Sequence, residues 1–478
     1  MRKVFALLVI ILILVPTAIF VVHHSLLGEN TETKPFYVGV TYCGNSTEEA
    51  KTLIDRVKGY TNLFVLQSGP LQQFPDKINE IGDYAVSFGL HFMVYFGVDK
   101  WSFLGNWLET YENRWGDQFL GVYYGDELGG KMIDYEADLW DSATNSLWLK
   151  CHDSRGGRIQ GRIDENTTIT YWPNGIIDLS TTETSGSPYN DDGLLDPSFL
   201  NYTYTRINYY PNGTIITRIS DDVDFVPKIV EDYNVTYTYD ELFDMHPFQT
   251  YDEVAEGFIG GLHQRLLRGP KKDTVIPAFI ADYALYWFDY KAGYDVVLAS
   301  LGWNHTIEQD IALVRGAAEL QNKNWGVIIT WKYNHPPYLD SGEAIYEQMK
   351  MSYEAGAEYV VVFNYAEDMD GPYGTLQEEH FEYLERFWNE VVQSSAVKQG
   401  SVKAEAVLVL PRNYGWGMRD PEDKIWGLWE PDEKSQQIWE ISCNLLDQYG
   451  YGLHIVYSDP EFPVEGKYPT VYYWNHTG

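Results

Sequence analysis

Eight short apolar runs with helical segments between them set the strongest constraint on this chain. They are Pro35–Gly44, Thr61–Gly69, Leu90–Asp99, Phe119–Tyr124, Thr274–Tyr283, Tyr294–Trp303, Asn324–Tyr333 and Ala357–Asp368. Each reads as a strand. Between them helical spacing recurs. Ser46 is placed to cap a helix, with Glu49 three residues on, followed by Ala50, Leu53, Ile54 and Val57. Ile78, Ile81 and Tyr84 mark a second helix, and Trp101–Trp115 a third. Thr250 with Glu253 opens another through Val254, Phe258, Leu262 and Leu266. Thr306 caps the next, Ile345, Met349 and Tyr353 line one more, and the last runs from about Gln377 to Val392. Strands alternating with helices at this spacing give βα units and a parallel sheet. Eight is the (β/α)₈ count, the TIM-barrel architecture of the α/β class. An open doubly wound sheet is the alternative, but no glycine-rich phosphate loop follows the first strand.

The rhythm breaks once. From Lys131 to His246 the chain is rich in Tyr, Thr, Asn and Asp, with no long helical period. It contains two similar pieces, ITYWPNGIIDLS (Ile169–Ser180) and INYYPNGTIITRIS (Ile207–Ser220). Asn-Gly between β-runs is the strongest short hairpin signal. The segment therefore reads as a β-rich insertion after strand four, where such barrels carry functional loops. After Ser401 come a strand (Ala404–Pro411), an aromatic Gly-rich loop, a helix (Gln436–Tyr449) and two strands (Gly452–Asp459 and Thr470–Asn475). This is a small C-terminal α/β domain. The expected units are 35–130 and 248–395 for the barrel halves, 131–247 for the insertion and 401–478 for the C-terminal domain.

Residues 1–28 stand apart. Arg2 and Lys3 precede an uncharged run from Val4 to Val22, near the length that spans a bilayer. No clear small-residue cleavage site follows, so an uncleaved anchor with the bulk outside is preferred over a cleaved signal. Either places the body outside the cytoplasm. Sequons at Asn45, Asn166, Asn201, Asn212, Asn234, Asn304 and Asn475 agree with a surface glycoprotein. The formal net charge of −35 argues against a nucleic-acid partner, whose phosphates need a basic surface. Hydrophobic residues at 45% exclude global disorder. Cys43, Cys151 and Cys443 fit no zinc spacing, and no His/Asp/Glu cluster has ligand spacing, so no metal and no cofactor is expected.

The chemistry is expected at the end of strand four. FLGVYYGDELGG (Phe119–Gly130) is an aromatic run that stops at Gly125 and two adjacent carboxylates, Asp126 and Glu127. Barrels of this kind place their chemistry at the C-terminal ends of the strands. The plain alternative is a strand-to-loop turn, which Asp and Gly favour.

With GVYYGDELGG at strand four, ITWKYNH at seven and VVFNYAED at eight, the barrel half resembles the broad group of TIM-barrel glycoside hydrolases. Many of these place a general-acid Glu after strand four, so the resemblance implies that role for Glu127. It departs from the group at strand seven, where a second carboxylate is common and this chain has Trp331, Lys332 and Tyr333. Glycoside hydrolysis needs two carboxylates. The candidate partners are strand-end acids: Glu367 first, then Asp282, with Asp368 and Asp99 behind them. Tyr42, Tyr124, Trp303, Trp331 and Tyr365 end strands and can wall a sugar pocket, or simply pack. Lys332 and His335 can bind a substrate hydroxyl or carboxylate, and Asp126 can orient the substrate.

The leading expectation is an extracellular, membrane-anchored glycoside hydrolase acting on a polysaccharide or glycan. The second is a non-catalytic surface glycoprotein, its barrel a scaffold that binds glycans or neighbouring proteins. Fold alone does not choose between them.

Overall fold

The computed structural model describes residues 35–478 except 112, 135–136, 142–145, 154–155, 165, 173–174, 187–199, 222–226, 246–249, 273–275, 303–305, 334, 366–368, 370, 395 and 476–478; for 137–162, 186, 200 and 201 it describes the backbone alone. The N-terminal run, Trp303, Asn304, Glu367 and Asp368 thus lie outside the described residues. Among the described residues no helix is long and apolar enough to cross a membrane.

In chain order the first four strands are β1 (Tyr37–Tyr42), β2 (Leu63–Leu66), β3 (His91–Phe96) and β4 (Phe119–Asp126). Then come β5 (Ala137–Asp141), β6 (Ser146–Asp153), β7 (Gly156–Arg162), β8 (Thr167–Tyr171), β9 (Ile177–Gly186), β10 (Leu200–Tyr209), β11 (Ile215–Asp221) and β12 (Lys228–Val230). They are followed by β13 (Ala278–Asp282), β14 (Val296–Leu301), β15 (Asn324–Ile329) and β16 (Tyr359–Val362). Strands β1 to β4 and β13 to β16 close into a barrel, in the order β1-β16-β15-β14-β13-β4-β3-β2. Every pair in it is parallel. The reading of eight strands as a closed parallel α/β barrel is the fold observed.

Alternate residues of each strand point inward and fill the barrel. Leu63 and Val65, Met93, Tyr123, Phe279 and Ala281, Val296 and Leu298, Ile328, Tyr359 and Val361 form one buried cluster. Burying each large apolar side chain of this kind contributes about 1.5–3 kcal/mol. The barrel is therefore a packed core, and open space for chemistry is left only at its ends.

The surrounding helices begin largely as their capping residues direct. Ser46 accepts from the Glu49 N–H at 3.3 Å, although the Glu49 carboxylate takes the Tyr42 hydroxyl at 3.2 Å. Thr250 and Glu253 close a reciprocal box at the start of the Tyr251–Arg268 helix. Thr306 stands at the start of the Ile307–Leu320 helix but makes no side-chain cap.

Between β4 and β13 lies an eight-stranded antiparallel meander, in the order β12-β11-β10-β9-β8-β7-β6-β5. The two Pro-Asn-Gly stretches join β8 to β9 and β10 to β11. Ile169, Tyr171, Ile177, Leu179, Ile207 and Tyr209 are buried. Leu242, on the short Tyr239–Asp244 helix, is fully buried, and its carbonyl accepts the Tyr171 hydroxyl at 2.8 Å.

The last three strands, β17 (Ala406–Leu410), β18 (Leu453–Tyr457) and β19 (Thr470–Tyr473), form a parallel sheet with β17 in the centre. Buried Arg315, on the Ile307–Leu320 helix, ties this sheet to the barrel. It donates to the carbonyls of Tyr451 and Val402, both at 3.0 Å. Residues Tyr37–Gly478 make up a single unit.

Candidate active site

The end of β4 departs from regular strand geometry. Tyr123 and Asp126 are three residues apart, an odd spacing that puts side chains on opposite faces of a regular strand. Here both serve the barrel interior, because the Tyr123 hydroxyl donates to the Asp126 carboxylate. A register shift opposite Phe279 and Ala281 adds one residue to β4, and Gly125 takes the turn at φ 107°. Such bulges re-aim a side chain and recur beside active sites.

Glu127 follows at φ 59°, in the left-handed region. For a residue with a long side chain this costs of order 1–3 kcal/mol and persists only where the surroundings enforce it. They do. The Glu127 N–H donates to the Ala281 carbonyl at 2.8 Å, and its own carbonyl accepts the first turn of the Leu128–Asp134 helix from the Lys131 N–H at 2.8 Å.

Asp282 anchors the start of that helix from the neighbouring strand. It is fully buried and accepts four backbone N–H groups: Gly129 at 2.5 Å, Gly130 at 2.7 Å, Tyr283 at 2.8 Å and Ala284 at 3.3 Å. Gly130 is required because a Cβ there would lie 2.2 Å from the Tyr283 ring. The Leu-Gly-Gly that follows Glu127 is thus the sequence mark of a tight contact between this helix and the end of β13.

Three carboxyls share this corner. Burial pushes Glu127 up to about 7; the charge of Asp126 raises it, Lys131 lowers it and Asp282 adds a smaller push upward. The Lys131 ammonium is 3.7 Å from the Glu127 carboxylate. Asp126 is raised by burial, against the Tyr123 hydroxyl bond and Lys131, which lower it. Burial raises Asp282 to about 7 as well, against the pull of its four N–H donors. Behind it Asp289, on the Tyr286–Ala292 helix, is buried with neither carboxyl oxygen hydrogen-bonded among the described residues. Burial and the charge of Asp282 hold it well above the usual carboxylate range.

The other expected residues fall into three groups. Trp331, Lys332 and Tyr365 stand at the ends of β15 and β16. The Trp331 and Tyr365 rings are 5.2 Å apart, and Lys332 pairs with Asp340 at 3.1 Å. His335 is exposed and stacks on Tyr333 with ring centres 6.3 Å apart. Asp99 is exposed beside Lys100, at 2.5 Å.

Tyr42 and Tyr124 are packed instead. Both are fully buried. Tyr42 turns back onto Glu49 and the Ser46 N–H. Tyr124 donates to the Val98 carbonyl at 3.1 Å, and its ring lies against Gly269. Neither ring is open to a ligand. Asp282, the second candidate for the partner carboxylate, has its oxygens on four backbone N–H groups. Of the sequon asparagines whose side chains are described, Asn45, Asn166, Asn212, Asn234 and Asn475 are exposed; the Asn201 side chain lies outside them.

Sequence reasoning missed Tyr95, Tyr123, Asp134, Tyr283, Asp340 and Arg419. Tyr95 and Tyr123 meet edge to face, 5.1 Å apart, beneath Asp126. Their positions at alternate residues of apolar strands were the available signal. Asp340 lies eight positions beyond Lys332, and the sequence carries no mark of that pairing.

No family model matches the chain, and no curated protein matches it. Among the described residues no group of three or more His, Cys, Asp or Glu is arranged to hold a metal ion. Chemically, the corner sets a carboxyl raised to about 7, Glu127, beside an adjacent carboxylate and the Lys131 ammonium.

Proposed function

We propose that this protein is a glycoside hydrolase that cleaves glycosidic bonds of a polysaccharide or glycan, with Glu127 as general acid. One observation carries the reading: a carboxyl at the C-terminal end of a barrel strand is held up to about 7, on a left-handed residue fixed from two elements. A general acid works best with a pKa near the operating pH, and burial is the usual means of raising a Glu to it.

In this reading Glu127 gives its proton to the departing glycosidic oxygen. Asp126, hydrogen-bonded by Tyr123, supplies negative charge beside the oxocarbenium-like centre. Lys131 moderates the repulsion between the two carboxylates once Glu127 is ionised. Trp331 and Tyr365 offer flat faces to a sugar ring on the far side of the mouth. For the second carboxylate the proposal keeps Glu367, which follows β16. In the closed order β16 lies four places from β4 in either direction, so the two strand ends stand opposite one another. The N-terminal apolar run would anchor the protein with its body on the extracellular side; deletion of residues 1–28 should then release a soluble, folded protein.

The test is a screen of residues 30–478 on a panel of aryl glycosides and glycans, followed by Glu127→Gln. The variant should keep its fold while the rate on the substrate found drops by about 10² to 10⁴. An active Glu127→Gln protein overturns the assignment. No turnover of any panel member by the wild type favours the non-catalytic reading, to which the strand-seven end, with Lys332 neutralised by Asp340, is better suited.

A further inference from the structure

The aromatic, Gly-rich loop between β17 and the Glu433–Tyr449 helix has no part in the account so far, yet it reaches the acidic corner. Its Arg419 donates to Asp134 at 2.6 Å and takes Asp423 of its own loop with two nitrogens, at 2.8 and 2.5 Å. The guanidinium lies 5.5 Å from the centre of the Tyr283 ring, whose hydroxyl donates to the other oxygen of Asp134 at 2.7 Å. Asp134 is the last residue of the helix that begins directly after Glu127.

Both ends of this seven-residue helix are therefore pinned. Asp282 holds its first turn, and Arg419 with Tyr283 holds its last residue. Directly beyond Asp134 the chain leaves for the eight-stranded insertion.

The loop that carries Arg419 is itself rigidly seated. The Trp426 indole donates to the Asn413 carbonyl at 2.8 Å, and its ring packs on Phe288 at 4.7 Å. The Trp416 indole donates to the Asp423 carbonyl at 2.8 Å, which fixes the carboxylate that orients Arg419. A forked, planar guanidinium bridging two carboxylates is a positioning device that lysine does not reproduce.

We propose that Arg419 is a positioning residue for Glu127: by clamping Asp134, the C-terminal loop holds the left-handed elbow at Glu127 in place and insulates it from the insertion. The proposal rests on the assignment of Glu127 above, and it makes the site a joint product of the barrel and the C-terminal unit.

The effect to read is the titration of Glu127, followed by carboxyl ¹³C NMR on protein labelled at Glu, with the Glu127→Gln spectrum identifying the signal. The groups that act on this carboxyl are Asp126, Lys131 and Asp282, and it acts in turn on Tyr95, Tyr123 and Tyr283. The largest charge effects on it come from Asp126, Lys131 and Asp282. If the clamp works by position, Arg419→Gln lets the elbow open to water, and the Glu127 midpoint falls from about 7 toward the ordinary 4.5. A purely electrostatic role would move it the opposite way, because loss of a cation disfavours the carboxylate.

Asp134→Asn removes the charge that Arg419 grips but lowers the midpoint by loss of an anion as well. If Arg419→Gln fails to fold, the discriminating stand-in is therefore Arg419→Lys, which keeps the cation, loses the fork, and should lower the midpoint to a smaller extent. On a substrate hydrolysed by the wild type, Arg419→Gln and Asp134→Asn should lose about tenfold to a hundredfold in kcat with KM within about threefold. Arg419→Lys should restore part of the loss. A midpoint unchanged or raised in a folded variant overturns the clamp. Absence of wild-type turnover bears on the hydrolase assignment alone, since the titration is read without substrate.

Discussion

The two sides of the barrel mouth solve opposite problems. At the ends of β4 and β13, Asp126, Glu127 and Asp282 are crowded with one ammonium, and the backbone is strained at Glu127. At the ends of β15 and β16, Lys332 and Asp340 are matched at 3.1 Å, and aromatic rings pack on one another. Uncompensated charge and strain cost stability, and they cluster where a protein needs a group held ready for reaction. A matched pair among aromatics costs little and suits binding. Under the proposed function, the comparison would divide the labour of the mouth: proton transfer on the strained side, sugar stacking on the other.

The largest effect on stability should come from removing the strained charge. The fold raises Glu127 from 4.5 to about 7, so it favours the protonated form. Below pH 4.5 the group is protonated in both states and costs nothing. As pH rises from 4.5 through about 7, the unfolded chain ionises first and the folded state loses stability, levelling off at about 3 kcal/mol. Relative to wild type, Glu127→Gln should therefore gain up to that amount between pH 4.5 and 8, measured by denaturant unfolding at each pH. A constant difference between the two proteins across this range would break the contrast.

Next in size is Gly130→Ala. Its Cβ would meet the Tyr283 ring at 2.2 Å, so the contact between the Leu128–Asp134 helix and the residue after β13 must open. The expected loss is about 1–3 kcal/mol in unfolding free energy, the usual cost of overpacking. A variant as stable as wild type would show that this contact is loose.

On the aromatic side the effects should be smaller and of another kind. Trp331→Ala should raise KM on a wild-type substrate by roughly threefold to tenfold, from about 0.5–1.5 kcal/mol of stacking, and leave kcat within about twofold. A large fall in kcat would place chemistry on that side. Lys332→Met should be the mildest, under about 1 kcal/mol in stability, because partly exposed pairs contribute little.

How much of this was legible follows from range. The barrel was readable because each βα unit writes its own local signal, and the eight units then leave few topologies. The Asp126–Glu127 corner was readable because apolar strand, glycine, acids and Gly-Gly lie within twelve residues. For Tyr42 and Tyr124 the sequence left wall and core both open, because the face a strand-end aromatic takes depends on register; both are fully buried. Asp282 stood among the candidate partner acids because sequence shows a carboxyl but not the four N–H groups it accepts. Arg419 was invisible for the same reason: its partner Asp134 is 285 positions away, and nothing local marks the pairing.

The central claim is that the fold raises the Glu127 carboxyl far enough for a substantial fraction to stay protonated near neutral pH. The direct measurement is its ¹³C titration in the wild-type protein, assigned against Glu127→Gln. The account predicts a midpoint near 7, well above the ordinary 4.5. A midpoint at or below 4.5 would mean that the corner is solvated and ionised, and the assignment of a general acid there would fail.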